Sequence, residues 1–288
     1  MGESALAFVR EQAAEMARIR GGMGTCEDAD AVHDLRVSIR TARSAIRSFG
    51  AFLPSGVTAL DEPLKAVFRR LGEVRDWDIA LGHWAKLGPG DAGSGEVKAV
   101  LERRRESARR QAARAVSAPC AIDALGAAVR VPNLRSGGAT VTPEAAAPDL
   151  VEAALARAKK AARGASGGGA AEIHLFRRRV KRLRYTLDSF SDLYGREAKA
   201  CLREMKATQD LTGRFMDTVG FSRRLMGLRK LSVAGRRAAE AAERKADREA
   251  QRLASRIAVR CARFGGGTWK ALGKRMVAQR RALWKAEE

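Results

Sequence analysis

The chain has 288 residues, with 55 Lys and Arg against 33 Asp and Glu, a net charge of +22 and a pI near 11.0. Such an excess of cations points to phosphate-rich polymers or anionic membrane surfaces as partners and says nothing about fold. Cys26, Cys120, Cys201 and Cys261 are scattered without a CxxC pair, which argues against a zinc site or a disulfide framework and fits a reducing cytoplasm.

The first predicted helix covers about 4–20 and carries Glu3, Arg10 and Glu11 in and beside its amphipathic stretch, unlike a signal peptide. Helices at about 31–53, 58–87 and 96–130 follow, separated by Gly21-Gly22, Pro54-Ser55-Gly56 and Gly88-Pro89-Gly90. The stretch 132–143, with Pro132, Gly137, Gly138 and Pro143, reads as a connector between a first half, 1–131, and a second half, 144–288. Second-half helices are expected at about 144–164, 171–194, 198–227 and 232–264, with a last one from about 268. Ala, Leu, Arg, Lys and Glu dominate, and apolar residues recur at three and four, so the class is all-α. Four amphipathic helices per half with short connections suggest two antiparallel four-helix bundles. No window offers 18 uncharged apolar residues, so no membrane span is expected.

Two segments carry one pattern. His33, Arg36, Arg40, Arg43 and Phe49 in the first are matched by His174, Arg177, Lys181, Arg184 and Phe190 in the second, at a constant offset of 141 (174 − 33). Offsets of three, seven and ten fall within an arc of about 80° on a helix, so each His and its cations share one face. Val32, Leu35, Ile39 and Ile46, and likewise Ile173, Phe176, Val180 and Leu183, take another. Like charges at this spacing repel, which a bound polyanion would relieve. The offset persists beyond the stripes, since Lys65 maps to Lys206, Gly72 to Gly213 and Asp76 to Asp217. An ungapped register of this length reads as an internal duplication.

The stretches HDLRVSIRTARSAIRSF and LGEVRDWDIAL in the first half, with HLFRRRVKRLRYTLDSF and MKATQDLTGRFMD in the second, resemble the CHAD domain, an α-helical family named for its histidine. The resemblance spans most of the chain, which reads as a single CHAD-type domain over 1–288, and KRLRY is its most specific piece. It implies two four-helix bundles related by a pseudo-twofold, with a basic cleft or channel between them that binds inorganic polyphosphate. The matching site positions are His33, Arg36, Arg40 and Arg43, then His174, Arg177, Lys181 and Arg184, with Lys65 and Lys206 on the next helices. Arg47 extends the first stripe by a turn, but its repeat partner is Asp188, and Arg69 is likewise matched by Asp210. Some family members are fused to a triphosphatase tunnel domain, and the alternating Glu-x-Glu-x-Lys strand of such a domain is not found in this sequence.

Arginine suits phosphate because its planar fork meets two oxygens, while lysine supplies a mobile point charge. Seven residues of helix rise about 10 Å, so a stripe can follow successive charges of an extended anion. His83 has no histidine at its repeat position, Arg224, and reads as structural. Gly72 and Gly213 cost about 1 kcal/mol each inside a helix, which predicts close helix packing or a local kink there. Asp76 and Asp217 read as carboxylates that position stripe cations, not as hydrolase acids, since neither half pairs them with a metal cluster or an activated nucleophile. Arg103, Arg104, Arg105, Arg109 and Arg110 add general attraction without a defined site.

The leading expectation is therefore a polyphosphate-binding protein that needs no cofactor or metal and is not an enzyme, located in the cytoplasm and associated with polyphosphate granules. Nucleic acid is the competing ligand that charge alone equally permits. Against it stand an aromatic content of 5% and stripes without interleaved platforms for stacking bases. A phosphohydrolase is the third reading, and it lacks the clustered carboxylates such chemistry uses.

Overall fold

The structure, a computed structural model, describes residues 2–117, 119–130 and 143–287. The connector expected at 132–143 lies outside them except for Pro143, which opens a helix. The fold is all-helical, 86% helix, with no strand among the described residues.

The first unit contains α1 (Gly2–Gly22), α2 (Ala29–Phe49), the short α3 (Ser55–Thr58), α4 (Asp61–Leu87), α5 (Ser94–Val116) and α6 (Ala121–Ala128). Helix α2 starts where Asp28 caps it, its carboxylate accepting from the backbone N–H groups of Asp30 at 2.8 Å and Ala31 at 3.2 Å. The single helix expected over 96–130 is instead two. Helix α5 ends before Ser117, Pro119 follows, and α6 restarts behind a box in which the Asp123 carboxylate accepts from the Cys120 N–H at 2.9 Å. Arg20 of α1 locks this restart by donating to Asp123 at 2.7 Å, which holds that carboxyl well below the usual carboxylate range. Helices α1, α2, α4 and α6 enclose a core in which Met16, Leu35, Ile39, Leu64, Leu71 and Leu125 are buried. Each such side chain contributes roughly 2 kcal/mol by leaving water.

The second unit contains α7 (Pro143–Ala165), α8 (Ala170–Asp188), α9 (Ser191–Met226), most of α10 (Val233–Arg263) and α11 (Gly267–Glu287). Helix α8 ends at Asp188, earlier than the expected 194, and α9 contains a break at Gly195, whose φ of 52° and ψ of −122° suit glycine. Ile173, Phe176, Val180 and Leu183 of α8 face a core shared with Tyr194 and Met205 of α9, Ile257 of α10 and Leu272 of α11. Phe264 completes it, standing edge-on to Phe176 with ring centroids 5.2 Å apart.

Residues 227–242, which the sequence assigns to the second half, belong to the first unit. There the Glu96 carboxylate of α5 accepts from the Ser232 N–H at 2.9 Å and from its hydroxyl at 2.5 Å. Gly93 lies so near the Ala234 carbonyl that a Cβ would collide with it.

Candidate functional site

Helix α2 buries Val32, Leu35, Ile39, Ala42 and Ile46, and this apolar face turns the basic row toward its edge. His33 is exposed, Arg36 and Arg40 are half-buried, and Arg47 is exposed. The Arg36 guanidinium stands 4.8 Å over the Phe68 ring of α4, a cation–π contact that flattens the fork against the helix. One turn further along α4, Gly72 leaves that guanidinium room, its Nη2 being 3.7 Å from where a Cβ would stand.

Arg43 is different from its neighbours. It is only 9% exposed, and its Nε donates to the Asp61 carboxylate at 2.8 Å and to the Asp61 main-chain carbonyl at 3.0 Å, while Nη2 reaches the second carboxylate oxygen at 3.2 Å. Arg47 stands 3.6 Å from the same carboxylate. Asp61 thus ties two stripe arginines to the start of α4, a role the sequence did not reveal because its repeat position is Leu202. Lys65 is held on its own helix by Glu62 at 2.9 Å.

In the second unit, His174 is exposed near the start of α8. Partial desolvation, then the nearby Arg178, Arg177 and Lys181, hold its imidazole below the ordinary histidine value. Arg177 donates to the Gln209 main-chain carbonyl of α9 at 2.6 Å, with its Nη1 3.2 Å from where a Cβ on Gly213 would stand. Arg184 donates to the Gln209 side-chain oxygen at 3.1 Å. Gln209, 8% exposed, therefore holds two stripe arginines at once. Lys181 lies half-buried between them in sequence, and Lys206 pairs with Asp210 at 3.1 Å.

The close helix packing or kink expected at Gly72 and Gly213 takes another form: the nearest neighbours of the two glycines are arginine forks, Arg36 at Gly72 and Arg177 at Gly213. Phe68 and Gln209 were not singled out from the sequence. They occupy the same repeat register (68 + 141 = 209) yet hold Arg36 and Arg177 by unlike chemistry, so residue identity gave no signal. Asp76 and Asp217 are both engaged by neighbouring groups, and among the described residues no three His, Cys, Asp or Glu side chains gather as metal ligands.

A further basic group lies between α4 and α5. Asp78, whose carboxyl is raised by burial and opposed by Arg109, Arg105 and Arg75, stands 3.9 Å from Arg105, while Arg109 donates to the Glu27 carbonyl at 3.1 Å. The α5 arginines read as general attraction are thus partly engaged by groups of this fold.

An all-helical fold with a histidine-led basic row on each of two helices defines the class. The chain belongs to the CHAD domain family, whose pattern matches residues 7–226. Its fold is similar to the crystal structure of the CHAD domain from the plant Ricinus communis, at 22% identity and a TM-score of 0.64, covering 96% of this chain and 92% of that one. It is also similar to PptA from Streptomyces chartreusis, at 18% identity and a TM-score of 0.63, covering 90% and 98%. No curated protein sequence matches the chain. The CHAD family is linked to polyphosphate binding. No helix among the described residues is long and apolar enough to cross a membrane.

Proposed function

We propose that this protein binds inorganic polyphosphate through the α2 and α8 rows and does not turn it over. The observation that carries the reading is the pair of preorganised forks, Arg36 against Phe68 and Gly72, and Arg177 against Gln209 and Gly213. A fork already fixed on a helix loses little side-chain entropy when phosphate oxygens arrive. His33, Arg40 and Arg47 extend the first contact surface, and His174, Lys181 and Arg184 the second. Lys65 and Lys206 flank these surfaces from the next helix, each already steadied by a carboxylate. Arg43 serves as a positioning residue, because its guanidinium is spent on Asp61. Phosphate contacts without stacking platforms favour a bare phosphate chain over nucleic acid. The same selectivity supports association with polyphosphate granules in the cytoplasm.

The test is titration with polyphosphate at fixed salt, with single-stranded and duplex nucleic acid as competitors at matched phosphate concentration. Tighter binding of polyphosphate per phosphate, weakened by Arg36→Gln with Arg40→Gln and by Arg177→Gln with Lys181→Gln, supports the reading. Equal affinity for nucleic acid overturns the selectivity. Orthophosphate release that tracks the purified protein overturns the absence of turnover.

A further inference from the structure

A cleft of about 550 Å³ opens in the second unit where the end of α7 meets the loop between α10 and α11. It lies within the size range of small-molecule sites. Its rim carries three cations, Lys159 and Arg163 from α7 and Arg263 from the end of α10. None of the three has a carboxylate within ion-pair distance among the described residues, whereas Arg43 of the α2 row and Lys65 and Lys206 on the neighbouring helices each have one. Three uncompensated charges around one hollow repel each other, and an anion seated among them relieves that repulsion.

Three successive glycines, Gly265 to Gly267, line the cleft on the loop side and bring no side chains of their own into it. Gly265 has a φ of 81°, which favours glycine, and a Cβ there would strike the Lys159 stem. The loop therefore accepts the Lys159 stem lying across it. The Cys261 thiol also lines the cleft, and burial pushes it up to about 11, so it is a neutral neighbour and not a thiolate.

We infer that this cleft is a separate binding site for a small phosphate-bearing anion, held by the forks of Arg163 and Arg263 and the point charge of Lys159. It shares no residue with the α2 and α8 rows and does not depend on the function proposed for them. The probe is inorganic pyrophosphate, titrated calorimetrically into the full chain at fixed ionic strength. The starting variant is Arg40→Gln with Lys181→Gln, which weakens the rows and leaves the cleft intact. One saturable site is expected to remain. Adding Lys159→Gln, Arg163→Gln and Arg263→Gln weakens that site by roughly tenfold or more. A charge-matched set of exposed changes in the same unit, Lys199→Gln, Arg203→Gln and Arg252→Gln, leaves it within about twofold. Absence of a saturable site in the starting variant overturns the inference. So does a site that survives the cleft substitutions, or one that the charge-matched set removes equally.

Discussion

Arg177 donates to the main-chain carbonyl of Gln209 at 2.6 Å, and it does so across the bare backbone of Gly213, four residues further along α9. In a helix the side chain at i+4 lies beside the carbonyl at i, so a glycine there exposes an oxygen that any other residue would partly cover. The mid-helix glycine is thus the means by which a charged fork is fixed against a helix.

The two glycines predict opposite responses. At Gly72 an added methyl meets Arg36 at 3.7 Å, an ordinary contact, so Gly72→Ala gains the helix propensity of about 1 kcal/mol. At Gly213 the methyl comes within 3.2 Å of the Arg177 fork, which must shift by a few tenths of an ångström from its bond to Gln209; a hydrogen bond made by a charged group is worth about 1.5 to 3 kcal/mol, more than the propensity gain of about 1 kcal/mol that it has to offset. Chemical denaturation is expected to show Gly72→Ala stabilised and Gly213→Ala destabilised. Equal stabilisation would mean that Arg177 moves aside at no cost.

Arg43 and Arg40 separate stability from binding although they are three residues apart. Arg43→Ala leaves the half-buried Asp61 carboxylate without its main partner and is expected to cost about 2 to 3 kcal/mol. Arg40→Gln keeps most of the side chain and leaves no buried carboxylate without its main partner, so it is expected to cost less stability than Arg43→Ala while weakening polyphosphate binding. Unfolding curves and titrations on the two variants check this. A stable Arg43→Ala protein with lost binding would return Arg43 to the contact surface.

The depressed His174 imidazole gives a pH dependence of definite sign. Its folded value lies below the unfolded one of 6.5, so as pH falls from about 7 toward 5 the unfolded chain takes up a proton that the native protein accepts less readily. The free protein therefore loses this part of its stability on acidification. Bound polyphosphate reverses the sign at this site, because an adjacent anion favours the imidazolium, and affinity rises over the same window. Thermal midpoints and affinities measured across that range, in wild type and His174→Gln, are expected to differ in slope. Parallel slopes would remove His174 from the contact.

Gly93 is expected to be intolerant for a packing reason. A Cβ there would strike the Ala234 carbonyl, which is backbone and cannot swing away, so Gly93→Ala is expected to cost about 1 to 3 kcal/mol. Gly95, two residues on, has open space at its Cβ position, and Gly95→Ala serves as the control with neutral or raised stability. Denaturation midpoints decide it, and a tolerated Gly93→Ala would mean that the start of α10 yields.

Periodicity located the long helices because each has one continuous apolar face, as in α2 with Leu35, Ile39 and Ile46. It failed where a local event left the hydrophobic pattern intact. The break between α5 and α6 preserves buried Val116, Ile122 and Leu125, so only Pro119 marked it. The basic rows were legible as charge at helical spacing. Their division of labour was not, because Arg43 and Arg40 look alike until Asp61 is placed beside one of them. The residues that hold the forks, Phe68 and Gln209, share a register but not a chemistry. The cations of the α7–α10 cleft carry no repeat signal, since Lys159, Arg163 and Arg263 come together only through the fold.

The chain's route through α10 bears on its synthesis. The first unit needs residues 227–242, so a ribosome that has delivered every residue through α6 has not yet supplied the segment that meets Glu96 and Gly93. Domains ordinarily fold in the order in which they emerge. Here the segment that returns to the earlier unit follows all of α7, α8 and α9 in the chain. A chain cut short before residue 227 therefore lacks the contacts that Ser232 and Ala234 make with the α5 region of its first unit, as well as the part of its second unit that follows residue 242.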